Sequence, residues 1–135
     1  MQYLLDTSTC IRLIREKSPG AVAKIMQHPP RDMAISVLAF FELRHGMEKS
    51  RNPGQAEKAL DKFLNSFNLI YLDGSAADEA AKIRIQLESS GSSMNFLDLL
   101  TAGIARSRSM TLVTDKIGEF TKIQGLYLEN WVNPQ

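Results

Sequence analysis

The sequence predicts an α/β fold, a three-layer α/β/α sandwich with a mainly parallel sheet. Short apolar segments of strand length alternate along the chain with longer segments whose apolar residues recur at helical spacing. Strands separated by helices need crossover connections, which make neighbouring strands parallel and place the helices on the faces of the sheet. A chain of 135 residues has the size of one domain, so we expect residues 1–135 to form a single unit.

Five segments have the length and composition of strands. The first is rich in Tyr and Leu, and the last is the shortest. The predicted strands are Gln2–Leu5, Met33–Ser36, Asn68–Leu72, Thr111–Thr114 and Leu126–Leu128. Ligands of parallel α/β sheets bind at the carboxyl ends of the strands, so the residues that follow these segments are the first candidates for a functional site.

Helical periodicity fills the intervals between the strands. Ala56, Leu60 and Phe63 belong to the apolar stripe of one predicted helix, whereas another helix, Phe96–Ala105, is apolar almost all round and should be buried. The predicted helices are Ile11–Lys17, Ala21–Gln27, Val37–Lys49, Gln55–Phe67, Ser75–Glu88 and Phe96–Ala105.

Composition and charge exclude several classes of protein. Hydrophobic residues at 44% and charged residues at 23% are typical of soluble globular proteins, and no apolar run reaches the length of a membrane span. A net charge of +1 excludes a strongly basic, general nucleic-acid binder. The single cysteine, Cys10, excludes an intramolecular disulfide framework and a cysteine-based zinc site. Because Met1–Leu5 also lacks the features of a secretory signal, we expect the protein in the reducing cytoplasm.

Carboxylates occur where the pattern predicts buried positions. Asp6 follows the first strand, Glu42 lies in an apolar run after the second, and Asp98 interrupts the apolar helix. Asp115 ends the fourth strand, and Glu119 lies one helical turn further on. Burying an ionised carboxylate without a partner is very costly, and the sequence places no Lys or Arg in the immediate neighbourhood of Asp6 or Asp98. A hard cation that takes oxygen ligands, Mg²⁺ or Mn²⁺, would resolve this cost.

Each acid alone has a simpler explanation. Asp6 can cap the helix that follows it, and Glu42 can pair with a basic residue. Asp115 can be a turn residue and Glu119 a solvated surface residue. Asp98 fits such roles poorly, because it lies within a helical pattern rather than at its start. Together, at the outgoing ends of successive strands, the acids indicate a metal site.

Four sequence blocks, which contain these acids, and a C-terminal tail cover the chain. They are Tyr3–Ile11, Ile35–Gly46, Gly91–Ala102, Thr111–Phe120 and, as the tail, Gly125–Trp131. In this order and spacing they resemble the PIN-domain ribonucleases and, within them, the VapC toxins of type II toxin–antitoxin pairs. The resemblance implies a PIN-like fold and an endoribonuclease that requires Mg²⁺ or Mn²⁺ and cuts structured RNA such as a tRNA loop.

The resemblance also assigns roles to the acids. Asp6 and Asp98 would be the principal metal ligands, and Glu42 would complete the site directly or through water. Glu119 is expected as the fourth catalytic acid, acting through a metal-bound water, because Glu119-Phe120 matches the family pattern better than Asp115 does. The residues expected to support these acids are Thr7, Ser8, Ser36, Thr114 and Asp115.

Four positions depart from the family pattern. Ser8 stands where the family usually has Asn, Ala39 where a hydroxyl residue is common, and Asn95 where a second Gly is frequent. None of these three removes a charge from the expected site. Lys116 stands where many PIN proteins carry an acid, which leaves the choice between Asp115 and Glu119 open.

Partners follow from the same resemblance. Basic residues near the predicted rim, which are expected to contact RNA phosphates, are Arg12, Arg44, Lys49 and Lys116. The apolar residues of Ala21–Met26 and Gln55–Phe67 exceed what one small core needs, so these helices are expected to bind a small VapB-like antitoxin and a second copy of the chain.

Two other classes of function fit the acids less fully. A metal-dependent DNA nuclease or phosphohydrolase would use the same carboxylates on a similar scaffold. A non-catalytic interaction domain would not need Asp98 for its effect, so substitution of Asp98 separates it from both enzymes.

Overall fold

A parallel sheet forms the centre of the computed structural model, which describes residues 2–16 and 19–132. The strand order is β3-β2-β1-β4-β5, and every neighbouring pair is parallel. The strands are β1 (Tyr3–Leu5), β2 (Met33–Ser36), β3 (Asn68–Ile70), β4 (Thr111–Val113) and β5 (Tyr127–Glu129). The predicted α/β/α class and all five predicted strands are therefore confirmed, with no strand end shifted by more than two residues.

Helices connect these strands and cover the sheet. They are α1 (Thr7–Ile11), α2 (Pro19–Met26), α3 (Val37–Glu48), α4 (Pro53–Leu64), α5 (Gly74–Ser89), α6 (Phe96–Ser107) and α7 (Ile117–Phe120). A π-helical segment, Arg12–Glu16, continues α1, and a 3₁₀ turn, Pro30–Asp32, precedes β2. The first predicted helix was placed too late, because Asp6 caps a helix that already begins at Thr7. Its predicted end, Lys17, lies outside the described residues.

Two apolar cores lie against the sheet, and successive strand residues alternate between them as the pleat requires. Leu4 and Leu112 pack with α5 and α6, whereas Leu5 and Val113 pack with α1, α3 and α4. Trp131, 1% exposed, belongs to the second core and stacks on the His28 ring with centroids 5.0 Å apart, so the tail tryptophan is a packing residue.

Helix α6 is less uniformly buried than its composition predicts. Phe96, at its start, is 62% exposed, whereas Leu99 and the residues from Thr101 to Ala105 are buried. Gly103 allows α6 to approach α5, because a Cβ atom built there would lie 2.6 Å from the carbonyl oxygen of Ala76 and 2.8 Å from the Cβ of Ala80. No helix among the described residues is both long and apolar enough to cross a membrane.

The strand order determines where a site can form. From β1 the chain first builds the sheet outward through β2 to β3, and later crosses to the other side with β4 and β5. The order therefore reverses between β1 and β4, and in open α/β sheets ligands bind in the crevice outside the carboxyl ends at such a point. Asp6 and Thr114 directly follow these two strands.

Candidate active site

Asp6 is a buried carboxylate with three hydrogen-bond donors. It is 3% exposed and caps α1 by accepting the Thr7 amide at 2.8 Å. The Thr114 hydroxyl donates to its Oδ2 at 2.9 Å, and the Ser8 hydroxyl donates to the same oxygen at 3.3 Å. One oxygen of Asp6 therefore caps α1, while Thr114 and Ser8 hold the other.

Burial dominates the acidity of Asp6. Desolvation raises the pKa of this carboxyl, and the nearby Asp98 charge raises it further. Lys116 and the hydrogen bonds from Thr114 and Thr7 lower the pKa but do not cancel the effect of burial. The ionised form of Asp6 is therefore destabilised, and a cation placed beside it would stabilise that form.

Glu42 is joined to Asp6 through a single residue. The Thr7 hydroxyl donates to Glu42 Oε1 at 2.7 Å, while the Thr7 amide donates to Asp6. Helix α3, which carries Glu42, is anchored by its N-cap Ser36, a buried residue whose hydroxyl accepts the Ala39 amide at 3.1 Å. Ser36 therefore acts by positioning the helix that carries Glu42.

Asp98 has a basic partner, contrary to the expectation from the sequence. The Lys116 ammonium lies 2.9 Å from Asp98 Oδ1 and 3.1 Å from Oδ2. The expectation was wrong because Lys116 comes from the loop after β4, 18 residues further along the chain. Asp98 lies in the first turn of α6 and not further inside the helix as expected, because Asn95 caps α6 by accepting the amides of Leu97 and Asp98.

Lys116 connects the three acids electrostatically. Partial burial lowers the pKa of this ammonium, but its hydrogen bond to Asp98 and the charges of Asp6, Asp98 and Glu42 outweigh that effect and raise the pKa overall. Lys116 was expected at the rim as a phosphate contact. The structure instead directs its ammonium to Asp98, although 41% of the side chain stays exposed.

The two candidates for the fourth acid have different surroundings. Asp115 is 22% exposed and lies 3.6 Å from Arg12. Asp115 does not cap α7, because Lys116 is the N-cap residue of that helix and no side chain makes a capping bond there. Glu119 is 51% exposed and pairs with Lys122 at 3.3 Å, so the structure directs it toward solvent.

The remaining predicted RNA contacts are spread around the site. Arg12 pairs with Asp115, whereas Arg44 pairs with Asp61 at 3.0 Å on the outer side of α3. Lys49 is exposed and lines a cleft of about 740 Å³ that also reaches Glu42. A stacked pair of side chains from α3, Phe41 and His45, lines the same cleft, and the sequence pattern gave no signal for it.

The donor set can be compared with what a hard divalent cation needs. Mg²⁺ is usually held by one or two carboxylates, with water and substrate phosphates filling its other positions. Asp6 and Asp98 supply carboxylates, and the Lys116 ammonium shows that a cation is accommodated beside them. Among the described residues no three His, Cys, Asp or Glu side chains form a ready-made metal cage. The residues thus fit a cation that is completed by water and substrate.

The sequence profile of the PIN domain matches residues 3–122. The chain belongs to the PIN-domain family. This PIN domain is 32% identical over 131 residues to the tRNA(fMet)-specific endonuclease VapC of Shigella flexneri, covering 97% of the chain and 98% of the relative. It is 34% identical over 133 residues to Ribonuclease VapC2 of Rickettsia felis, with the same coverage.

Solved structures give the same relationship. This PIN domain superposes with a TM-score of 0.91 on a chain from VapBC2 of Rickettsia felis bound to promoter DNA, at 32% identity and with coverage of 97% and 99%. The TM-score is 0.92 for DNA-bound VapBC of Salmonella typhimurium, at 31% identity and with coverage of 97% and 98%. The PIN-like fold expected from the sequence is therefore confirmed.

Proposed function

We propose that this chain is a Mg²⁺- or Mn²⁺-dependent endoribonuclease that cuts structured RNA such as a tRNA loop and acts as the toxin of a VapBC-type pair. The observation that carries the proposal is the meeting of Asp6, Glu42 and Asp98 around Lys116 at the strand-order reversal. Relatives that match over the full length are named VapC endonucleases or ribonucleases. The single cysteine and an RNA substrate both fit action in the cytoplasm.

Asp6 and Asp98 would hold the metal ion, with Glu42 as a third ligand directly or through water. Bound there, the ion would neutralise charge on a phosphodiester and make a water molecule more nucleophilic. Thr7 fixes Asp6 and Glu42 relative to each other, since its amide and its hydroxyl donate to one acid each. Thr114 and Ser8 orient the second oxygen of Asp6. Preorganised ligands of this kind avoid a reorganisation cost during the reaction.

Lys116 is proposed to exchange partners during the reaction. Its exposed portion gives the side chain room to turn away, which would leave the Asp98 oxygens free to hold a metal ion. The freed ammonium would stay beside the site and attract the phosphate backbone of the substrate. Arg12 and Lys49 would contribute to the same local field at the rim.

Glu119 remains the proposed fourth acid, with Asp115 in support. Its pairing with Lys122 is an exposed ion pair, which contributes little stability and is easily given up. The comparison of Asp115→Asn with Glu119→Gln in Mg²⁺-dependent RNA cleavage tests the assignment. A larger loss for Glu119→Gln is expected, and a larger loss for Asp115→Asn with unchanged folding would reverse it.

An apolar groove is the proposed binding site for the antitoxin. It has a volume of about 290 Å³ and lies between the π-helical segment, α3 and α4. Its apolar lining includes Ile14, Leu43, Met47 and Leu60, and one end reaches Glu42. The structural relatives are VapBC complexes, and a VapB-like segment in this groove would end beside the catalytic acids. This placement explains how such a partner would inhibit cleavage.

The function is tested with purified protein on three substrate classes. Incubation with RNA, DNA or nucleotides, each with Mg²⁺ and with EDTA, separates the ribonuclease from the alternatives. We expect RNA fragments only, and only with the metal. Cleavage of DNA or release of phosphate from nucleotides would favour a different hydrolase, and no turnover of any substrate would favour an interaction domain.

A further inference from the structure

An exposed stack of two rings lies next to the catalytic acids. Phe41 is 58% exposed, although it precedes Glu42 directly on α3. Its ring is nearly parallel to that of His45, with an interplanar angle of 4° and centroids 6.2 Å apart. Residues four positions apart share one face of a helix, so both rings are presented on the same side. An exposed phenyl ring adds little to the core and is available to a ligand.

The stack borders the cleft that opens from the acids. Thr7, which donates to both Asp6 and Glu42, lines this cleft of about 740 Å³ together with Leu97, the neighbour of Asp98. Arg15 and Lys49 lie on the same lining and add positive charge. The volume falls in the range of about 300–1,000 Å³ that is common for sites of small organic groups. A flat apolar surface, two cations and the acids therefore meet in one space.

We propose that Phe41 and His45 form a stacking site for one unpaired base of an RNA substrate, with Arg15 and Lys49 facing its phosphates. This inference rests on the proposed ribonuclease function and adds the substrate feature that the site recognises. Unpaired bases expose a flat face that stacks on aromatic side chains, whereas bases in a duplex are already stacked on each other. The site would thus favour loops and single strands over paired RNA. It would also hold the RNA strand so that its scissile phosphate lies beside the acids.

Binding to a fluorescent RNA hairpin tests the stacking site. The hairpin carries 2-aminopurine in its loop, and the assay uses Asp6→Asn protein so that binding is measured without cleavage. Phe41→Leu keeps the apolar character but removes the aromatic face, so we expect about a tenfold weaker Kd. We also expect Phe41→Leu to reduce the quenching of 2-aminopurine, and Phe41→Trp to restore both readings.

Tyr127→Leu is the matched control. Tyr127 is 64% exposed and pairs with Thr111 at the amino ends of β5 and β4, whereas the acids lie at the carboxyl ends of the strands. Its substitution should leave the Kd and the quenching unchanged. A Phe41→Leu protein that binds and quenches like its parent would overturn the proposal. So would a Phe41→Leu protein whose Kd is unchanged while light scattering shows loss of a dimer, because the face would then be a protein contact.

The outcome is separable from that of the proposed function. If wild-type protein cuts no RNA but Phe41 still determines hairpin binding and quenching, the stacking site stands and the nuclease assignment fails. If wild-type protein cuts RNA but Phe41→Leu changes neither reading, the nuclease stands and the stacking site is rejected.

Discussion

At the residue scale, the most constrained group is the buried carboxyl of Asp6, whose pKa is raised chiefly by desolvation. Between the ordinary value of 3.8 and the raised pKa, the native chain binds more protons than the unfolded chain. The stability that Asp6 contributes to the folded state is fully present below pH 3.8 and is lost as the pH rises through the folded pKa. The metal-free protein is thus destabilised by Asp6 at neutral pH, a cost consistent with selection for the site rather than for stability.

Because ionised Asp6 destabilises the metal-free protein at neutral pH, we expect Asp6→Asn to raise its Tm at pH 7. The expected gain is on the order of 1 kcal/mol, the usual size of single-residue effects. An amide can still accept the Thr7 hydrogen bond that caps α1. Thermal unfolding in EDTA from pH 3 to pH 8 measures the effect. The gain should shrink as the pH falls, and a Tm difference that is independent of pH would show that the charge of Asp6 is not its cause.

Lys116 is the other residue whose charge can be tested alone. Its ammonium competes with a metal ion for the oxygens of Asp98, so Lys116→Gln should tighten Mg²⁺ binding by about tenfold. Isothermal titration calorimetry measures the affinity without relying on activity. Lys82→Gln is the control, since Lys82 is an exposed residue of α5 that pairs with Glu79 and with none of the acids of the site. Equal Mg²⁺ affinity of wild type and Lys116→Gln would contradict competition at Asp98.

At the scale of elements, the close approach of α5 and α6 depends on the missing side chain of Gly103. A Cβ atom at this position would overlap with backbone and Cβ atoms of Ala76 and Ala80, which cannot move as a flexible side chain could. Gly103→Ala is therefore expected to destabilise the fold by about 1–3 kcal/mol in urea unfolding. Gly54→Ala in α4 meets no atom within 4 Å and should stay within about 1 kcal/mol of wild type. Equal stability of the two variants would show that α5 can shift.

The elements could be predicted because each is signalled locally. Short apolar runs identified the strands of the described residues and helical periodicity identified most of their helices, while caps decided the boundaries. Asp6 starts α1 earlier than the apolar pattern does, and α4 ends at Leu64, although Phe67 continues the stripe and packs on Phe63 with ring centroids 4.8 Å apart. The π-helical segment after α1 has no signal in a pattern that assumes 3.6 residues per turn.

The site was predictable only as far as single residues stand out in their own segments. Asp6 and Asp98 interrupt apolar runs, which is visible in the sequence. The pairing of Asp98 with Lys116 joins α6 to the loop after β4, so local patterns could not show it.

At the scale of the whole molecule, exposed apolar residues remain after the two cores are filled. Leu60 on α4 is 3% exposed and belongs to the second core, whereas Phe41 on α3 is 58% exposed. On α2, Met26 is 79% exposed. Such residues are common where a chain contacts another protein.

We therefore expect a homodimer that involves α2. Light scattering at high concentration should give twice the mass of the chain, and Met26→Glu should shift the distribution toward monomer because it places a charge in the contact. Ile85→Glu, on α5 and 63% exposed, is the control and should leave the dimer intact. A monomeric wild type would contradict the homodimer. Equal effects of both variants would exclude α2 as its interface.

The most direct measurement is Mg²⁺-dependent cleavage of RNA by Asp98→Asn compared with Asp61→Asn. Asp98 lies at the strand-order reversal, whereas Asp61 is an exposed acid that pairs with Arg44 on the outer side of α3. Loss of a metal ligand should lower the single-turnover rate by at least about a hundredfold. Asp61→Asn should cleave like wild type, and circular dichroism should show both variants folded. Undiminished cleavage by folded Asp98→Asn protein would contradict a carboxylate-held metal as the source of the activity.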